Sequence, residues 1–359
     1  MNILVAMSGG VDSSVSAFLC REKYGSCKGA TMLLFLNESL GISGRHPCCS
    51  RENIIDAKAV CDVLGIEHET LNFMAEFEER VVRKFVEVYE SGGTPNPCID
   101  CNRYMKFGEF LGHARANGHD MIATGHYARI ERDNSGHWLL RKAVDASRDQ
   151  SYVLYMMTQD MLSHTEFPLG GMLKSDVRDM AESLGFTNAR KHDSQDICFV
   201  PDGDYAGLIE TYTGKVYPPG DFVDASGKIL GQHRGIIHYT AGQRRGLGVA
   251  GKSRLYVSRI DPQSNTITLM PENDAGLYAR GIIARNVNLV AYERLPENFR
   301  AGVKVRYRQR EIPCTVNQSG DDEFVIEFAE RVKCPALGQS AVIYDGEYVI
   351  GGGVIAGVI

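Results

Sequence analysis

The chain has 359 residues, of which 43% are hydrophobic and 23% are charged, and it carries a formal net charge of −6. This length predicts two or three domains, and the composition excludes a disordered or fibrous protein. Because no apolar run reaches the roughly 18 residues of a membrane helix, and residues 1–7 lack the basic lead of a signal peptide, we expect a cytoplasmic protein without a membrane partner.

In the first half of the chain, short apolar runs alternate with amphipathic stretches. The apolar runs predict buried strands at residues 2–7, 29–36, 67–73 and 120–124. The three- and four-residue spacing of apolar side chains predicts helices at residues 13–23, 51–64, 74–91 and 106–117. Strand–helix repetition of this kind predicts an α/β fold with a doubly wound parallel sheet that is covered on both faces.

The pattern changes after about Asp196, where Gly and Pro become more frequent, and most segments from Gly220 onward alternate with period two. One helix is predicted near residues 204–212. Strands are predicted at residues 303–308, 323–328 and 341–344, and Asp345-Gly346 is a two-residue hairpin signal. We therefore predict an α/β domain over residues 1–200, a central β-rich linker domain over 201–275 and a small antiparallel β-barrel over 276–359.

A glycine-rich segment, Ser8-Gly9-Gly10-Val11-Asp12-Ser13-Ser14, joins the first predicted strand to the first predicted helix. Two glycines let successive backbone N–H groups face an anion, and the serines and the helix N-terminus add donors. A tight turn with a serine N-cap explains the same residues equally well. Neither Gly-Lys-Ser/Thr nor G-x-G-x-x-G occurs here, which argues against the common P-loop and against a dinucleotide fold.

The SGGxDS pattern resembles the PP-loop of enzymes that split ATP into AMP and pyrophosphate, the adenine-nucleotide α-hydrolase-like class. This resemblance implies ATP as cosubstrate, with Asp12 helping to hold the Mg²⁺ bound to the pyrophosphate. It also implies adenylation, in which a carbonyl oxygen becomes an AMP leaving group that a nucleophile displaces. The loop alone does not identify the nucleophile.

The sequence has ten cysteines, which we expect to be reduced thiols because no export signal is present. Cys98 and Cys101 form a C-x-x-C pair, and we expect both on an exposed rigid loop because Pro95 and Pro97 prevent a helix from continuing. Cys198 lies at the junction with the second half, where a core position and an active-site position both fit. Four cysteines fit core positions: Cys20, Cys61, Cys314 and Cys334. The pair Cys48-Cys49 has no assignment.

Motifs along the whole chain resemble those of the tRNA-specific 2-thiouridylases. They are SGGVDSS, TPNPxxxCN, ATGHYAR, DQSYVLY, the ICF around Cys198, HYTAGQRRGLG and RYRQREIPCTV, in this order. The resemblance implies that the C2 oxygen of the wobble uridine, in tRNAs that read Lys, Glu and Gln codons, is adenylated from ATP and replaced by sulfur. The products would be 2-thiouridine, AMP and pyrophosphate. A cysteine desulfurase or a sulfur carrier would be the partner that supplies the sulfur.

The resemblance also implies roles for individual residues. ATP contacts are implied for Ala6, Met7, Ser8, Gly9, Gly10, Val11, Asp12, Ser13, Met32 and Gly125. Contacts with the target base or with other parts of the tRNA are implied for Asn96, Pro97, Cys98, His126, Arg148, Asp149, Gln150, Arg306, Tyr307 and Gln339. Cys198 would carry a persulfide, and Cys101 would act as the nucleophile that closes a disulfide and releases sulfide.

Cys98 departs from the family pattern, since many members carry an aspartate at this position. Cys98, Cys101 and Cys198 could together hold a [4Fe–4S] cluster with one iron left for a hydrosulfide, and Cys198 would then carry no persulfide. A C-x-x-C pair also fits zinc or a simple redox pair. These alternatives stay open.

Basic residues recur at Lys304, Arg306, Arg308 and Arg310, a spacing that predicts one face of a strand and a phosphate contact. A solvated strand face explains the same spacing. The negative net charge argues only weakly against a nucleic acid, because a local basic face can bind phosphate. Two other functions fit the PP-loop: an amidating ligase, for which no ammonia source is visible, and an RNA adaptor without catalysis, which would not need the cysteines.

Overall fold

The computed structural model describes residues 1–36, 40, 51–191, 196–200, 203–249 and 253–359. The chain forms two compact units. The first consists of Met1–Val81, Cys98–Gly203 and Glu347–Val349, and the second of Val82–Pro97, Asp204–Gly346 and Ile350–Ile359. Among the described residues, no helix has the length and apolar character needed to cross a membrane.

A five-stranded sheet forms the centre of the first unit. Its strands are β1 (Ile3–Ala6), β2 (Lys28–Leu33), β3 (His68–Asn72), β4 (Met121–Ala123) and β7 (Thr165–Glu166). Their order is β3-β2-β1-β4-β7, and every neighbouring pair is parallel. The predicted doubly wound parallel sheet is therefore confirmed, with each of the four predicted strands slightly shorter than its apolar run.

Nine α-helices lie in the described part of the chain: α1 (Val11–Tyr24), α2 (Arg51–Leu64), α3 (Met74–Phe77), α4 (Arg83–Glu90), α5 (Pro97–Asp100), α6 (Leu111–Ala116), α7 (Gln159–Ser163), α8 (Lys174–Ser183) and α9 (Tyr205–Thr213). α1 packs against α2 and α8. All four residues of β1 are buried, as expected for a central parallel strand with helices on both faces. Val15, Ala17 and Cys20 of α1 join this core, which confirms the core position of Cys20.

Two predicted helices are interrupted by wider π-helical turns. Between α3 and α4, Glu78–Val82 is π-helical, and Cys101–Phe110 is a ten-residue π-helix that leads into α6. Such segments occur frequently at functional sites, and periodicity does not reveal them because apolar residues still recur every three to five positions. The first unit also contains a hairpin of β5 (Ala128–Arg132) and β6 (Trp138–Lys142).

The second unit contains a four-stranded sheet and a barrel. The sheet has the order β10-β11-β8-β9, with strands β8 (Gly220–Val223), β9 (Ile229–His233), β10 (Leu255–Asp261) and β11 (Thr266–Pro271). The barrel strands are β12 (Tyr278–Leu289), β13 (Phe299–Lys304), β14 (Ile312–Gly320), β15 (Glu323–Lys333), β16 (Ser340–Asp345) and β17 (Tyr348–Val358). They run in the order β12-β15-β14-β13-β16-β17, and pairing of β12 with β17 closes the barrel. The predicted β-rich central region and antiparallel barrel are confirmed.

Two local predictions are wrong. The strand predicted at residues 303–308 ends at Lys304, and residues 305–309 form a turn, so the four basic residues do not share one strand face. The C-x-x-C segment is helical instead of a loop, because Pro97 occupies the first position of α5 and Cys101 begins the π-helix. Proline is well tolerated at a first helical position, where its missing N–H removes no hydrogen bond.

Candidate functional site

The strand order of the sheet reverses at β1. From β1 it adds β2 and then β3 on one side, whereas β4 pairs with the other side of β1. Ligands of open α/β sheets bind at such a switch point, outside the carboxyl ends of the strands. Residues 8–14, which we call the phosphate loop, follow β1 at this edge, and Thr124 and Gly125 follow β4.

The phosphate loop has a backbone that only glycine fits at its first turn. Gly9 has a φ of +72°, and a Cβ added there would lie 2.4 Å from the carbonyl oxygen of Asn53. Gly10 then caps α1 with extended backbone, and the Ser13 hydroxyl donates to its carbonyl at 2.9 Å. The first N–H groups of α1 therefore stand at the switch point with the positive end of the helix dipole, which suits a phosphate.

Asn188 and Lys191, which follow α8, hold the phosphate loop from behind. The side-chain amide of Asn188, which is 3% exposed, donates to the Gly9 carbonyl at 3.1 Å and to the Ser14 hydroxyl at 2.9 Å. Lys191 donates to the Asn53 side chain at 2.6 Å and to the Asp56 carboxylate at 2.7 Å. The sequence pattern gave no signal for these two residues, because they lie about 180 positions away from the loop.

Asp12 is already paired in this conformation. The ammonium of Lys174, the first residue of α8, lies 2.7 Å from each carboxylate oxygen of Asp12, and the Tyr127 hydroxyl donates to one of them at 2.8 Å. Lys174 is 7% exposed, so this ion pair is partly withdrawn from water. The negative charge of Asp12, at the edge of the phosphate loop, is therefore neutralised by Lys174.

Gly125 lets the β4 end of the switch point approach the phosphate loop. A Cβ at Gly125 would lie 2.9 Å from the backbone carbon of Asp12 and 3.0 Å from the nitrogen of Ser13. Met32, in β2, is half-buried on the other side of β1. The residues that are predicted to contact ATP therefore surround one edge of the sheet. They lie in β2, in the phosphate loop and in the segment after β4.

His126 follows Gly125 and is 6% exposed. Its Nδ1 lies 2.6 Å from the Thr124 hydroxyl and its Nε2 lies 3.3 Å from the Lys106 ammonium. Burial lowers the pKa of His126 well below its usual range, and Lys106 lowers it further. The imidazole ring is therefore neutral at neutral pH. The predicted contact of His126 with tRNA stays a prediction.

The cysteine segment, residues 98–110, carries the predicted nucleophile. Cys98 is exposed and Cys101 is half-buried at the start of the π-helix, while Cys198 is also half-buried. Asn102, next to Cys101, anchors this segment by donating to the Val153 carbonyl at 2.9 Å. Cys48 and Cys49 lie outside the described residues. None of the cysteines in the described ranges forms a disulfide.

The Arg148-Asp149-Gln150 stretch uses two of its side chains inside the protein. Asp149 accepts hydrogen bonds from the Ala143 nitrogen at 3.0 Å and from the Ser151 hydroxyl at 2.8 Å. The Gln150 side chain accepts from the Tyr127 nitrogen at 2.9 Å. These bonds fix the turn after β6, and Arg148 is half-buried beside them.

In the second unit, Gln339 holds the backbone that precedes Asn96 and Pro97. Its side-chain amide donates to the carbonyls of Thr94 at 3.1 Å and Pro95 at 2.9 Å. Gln339 therefore fixes the position of the predicted base-facing residues from within the barrel.

Arg306 and Tyr307 lie in the turn after β13, also in the second unit. Arg306 donates to the carbonyls of Ala241 at 3.1 Å and Cys334 at 2.8 Å. Tyr307 is 39% exposed. Both residues are thus presented by a turn, where the sequence predicted a strand.

Comparisons with known proteins place the chain in a family. Residues 1–202 match the model of the tRNA methyl transferase HUP domain, residues 207–271 its PRC-barrel domain and residues 279–355 the aminomethyltransferase beta-barrel domain. The tRNA-specific 2-thiouridylase MnmA of Clostridioides difficile is 42% identical over 354 residues, which cover 98% of this chain and 97% of that protein. The enzyme of the same name from Acetivibrio thermocellus is 44% identical over 357 residues and 98% of each chain. The chain belongs to the tRNA-specific 2-thiouridylase family.

This membership confirms the resemblance seen in the sequence, and with it the enzyme class. In this chain, the phosphate loop fits ATP, because Gly9 lets the loop turn close against the Asn53 backbone and the first N–H groups of α1 lie at the switch point. Asp12 fits Mg²⁺ in ligand type, since magnesium in ATP sites takes one or two carboxylates together with phosphate oxygens.

The three-thiol ligand set fits this conformation less well. Over the described ranges, which include Cys98, Cys101 and Cys198, no three His, Cys, Asp or Glu side chains are gathered to hold a metal. The [4Fe–4S] cluster stays a prediction on which no step of the proposed reaction depends.

Proposed function

We propose that this protein is an ATP-dependent tRNA sulfurtransferase that replaces the C2 oxygen of the wobble uridine by sulfur. The observation that supports this most strongly is the phosphate loop at the switch point, which Gly9 lets close against the Asn53 backbone, in a chain whose relatives named tRNA-specific 2-thiouridylase are 42–44% identical over 98% of its length. The same membership favours thiolation over the amidating ligase, for which no ammonia source is visible.

In the first step, the loop N–H groups bind the phosphates of ATP and the uridine C2 oxygen attacks the α-phosphorus. The bond to pyrophosphate breaks, and the oxygen becomes part of an AMP leaving group. Mg²⁺, held by Asp12, would neutralise the charge on the leaving pyrophosphate. Lys174, whose ammonium neutralises Asp12 in this structure, would add a second positive charge beside the leaving pyrophosphate.

In the second step, the Cys101 thiolate attacks the Sγ atom of a persulfide on Cys198. The sulfur–sulfur bond of the persulfide breaks, hydrosulfide leaves and a Cys101–Cys198 disulfide forms. Hydrosulfide then adds to C2 of the adenylated uridine and expels AMP. A thiol reductant must afterwards supply two electrons to reopen the disulfide, and a sulfur carrier or a cysteine desulfurase must reload Cys198.

We infer that the predicted α/β domain at residues 1–200 carries this chemistry and that the regions at 201–275 and 276–359 help to bind the tRNA. Arg306 and Tyr307 in the exposed turn are the residues of the barrel that we assign to tRNA. Gln339 acts on the same substrate through the backbone of Thr94 and Pro95.

The test is in vitro thiolation of tRNA transcripts that read Lys, Glu or Gln codons. Purified protein is incubated with ATP, Mg²⁺ and a persulfide donor, and the wobble nucleoside is measured by mass spectrometry. We expect the mass gain of an oxygen-to-sulfur exchange, together with stoichiometric AMP. An unchanged nucleoside with every tRNA and with both sulfide and persulfide donors contradicts the proposal. Retained thiolation in Cys101→Ala and Cys198→Ala variants contradicts the relay.

A further inference from the structure

Lys106 is a cation to which the proposed reaction assigns no role. It lies on the π-helix Cys101–Phe110, and its ammonium is 3.3 Å from Nε2 of the buried His126. In the described part of the chain no carboxylate pairs with Lys106, in contrast to Lys174 and Lys191, which both contact aspartates. Within those ranges, its charge is therefore not neutralised.

His126 holds Lys106 without cancelling its charge. The imidazole packs against the rings of Phe107 and Phe167, at 5.9 Å and 5.6 Å between centroids. A neutral ring can donate from Nδ1 to the Thr124 hydroxyl at 2.6 Å and accept from the Lys106 ammonium at Nε2. The tether thus fixes the position of the ammonium and leaves its full positive charge available.

The ammonium is tethered at the nucleotide end of the sheet. Thr124 and Gly125 follow β4 at the switch point, and Gly125 packs against Asp12 so closely that a Cβ would lie 2.9 Å from its backbone carbon. Lys106 also comes five residues after Cys101, which is about one turn of a π-helix, so the two residues lie on the same side of that helix.

We propose that Lys106 binds the α-phosphate of ATP and stabilises the charge that develops on it during adenylation, with His126 and Thr124 as positioning residues. The proposal rests on the proposed adenylation of tRNA. The ligand chemistry is a phosphate that becomes an AMP ester, next to a loop whose backbone donors bind the rest of the triphosphate. A phosphate of the tRNA backbone would offer the same chemistry from a second source.

The experiment compares wild type with Lys106→Met and Lys106→Arg, and uses Lys58→Met as the matched control. Lys58 is an exposed lysine of α2 that contacts Asp62 on the same helix. Titration calorimetry measures the Kd of α,β-methylene-ATP, and a single-turnover assay measures AMP release with tRNA. We expect Lys106→Met to weaken the analogue about tenfold and to slow AMP release about 100-fold. Lys106→Arg recovers part of both, and Lys58→Met matches wild type.

His126→Phe tests the positioning role. It removes the acceptor while filling the same space, so we expect a smaller loss of AMP release than in Lys106→Met. The double variant should be no worse than Lys106→Met alone, because both changes remove one function. Additive losses contradict a positioning role for His126.

Two outcomes overturn the assignment of Lys106 to ATP. One is an analogue Kd and an AMP-release rate equal to those of wild type in Lys106→Met. The other is an unchanged analogue Kd together with weaker tRNA binding whose salt dependence falls by about one phosphate contact, which assigns the cation to tRNA. Analogue binding is measured without thiolation. If wild type binds the analogue and forms no thiouridine, the proposed function fails, whereas a Kd and an AMP-release rate that are both equal in wild type and Lys106→Met refute only the role of Lys106.

Discussion

The phosphate loop and the cysteine segment were both predicted from short motifs, but the contacts that hold them in place differ. The phosphate loop is held by Asn188, Lys191 and the Lys174–Asp12 pair, and Gly9 packs directly against the Asn53 backbone. The cysteine segment places Cys98 in solvent and Cys101 half-buried on a π-helix. The nucleotide half of the site is therefore preorganised, whereas the thiols of the sulfur half stay partly exposed to solvent.

The largest expected effect comes from the cysteine segment. Two substitutions there distinguish the persulfide relay from a [4Fe–4S] cluster. Cys101→Ser removes the nucleophile, so we expect thiolation to fall by about 1,000-fold or more while the Kd of α,β-methylene-ATP stays unchanged. The matched variant is Cys98→Asp, which introduces the residue that many family members carry. It should retain thiolation, measured as thiouridine per tRNA. Equal loss in both variants would favour a metal-ligand role for Cys98 and contradict the relay.

The next effect tests the preorganised loop. Gly9→Ala places a Cβ 2.4 Å from the Asn53 carbonyl, so the loop must shift and nucleotide binding should weaken about 100-fold. Gly25→Ala is the control, because Gly25 has a similar φ of +80° and its Cβ would meet nothing within 4 Å. If calorimetry shows the same nucleotide Kd for both variants, the shape of the loop does not determine binding.

A smaller effect tests the ion pair at Asp12. Lys174→Met leaves the partly buried carboxylate without its cation, and we expect the free energy of unfolding to fall by about 2 kcal/mol. Lys23→Met breaks the pair with Glu166, whose lysine side chain is 59% exposed, and should cost less than about 1 kcal/mol. Urea titration measures both. A smaller loss for Lys174→Met than for Lys23→Met would show that the pair does not stabilise the loop.

The smallest effect concerns the pH dependence of stability. Burial lowers the pKa of His126, so the unfolded chain binds a proton below about pH 6.5 that the folded protein does not bind. Stability from this group is therefore complete at neutral pH and is lost as the pH falls below that value. His126→Phe should flatten the fall in the thermal midpoint between pH 7 and pH 5. An unchanged slope would mean that the folded ring takes up a proton over the same pH range as the unfolded chain.

The sequence predicted local elements well and distant contacts poorly. The strands β1 to β4 and the helix Arg51–Leu64 follow from periodicity, and the phosphate loop follows from its glycines. Asn188, Lys191 and Lys174 were missed because each meets the loop from more than 160 residues away. The cysteine segment was predicted as a loop because two prolines precede it, although a proline also begins helices.

We expect the uridine C2 oxygen to leave as part of AMP, and an isotope experiment tests this step. A tRNA with a heavy oxygen isotope at C2 of the wobble uridine is thiolated in a single turnover, and mass spectrometry follows the isotope. We expect one labelled oxygen in each AMP formed. Heavy oxygen in water or in pyrophosphate, with unlabelled AMP, would contradict it.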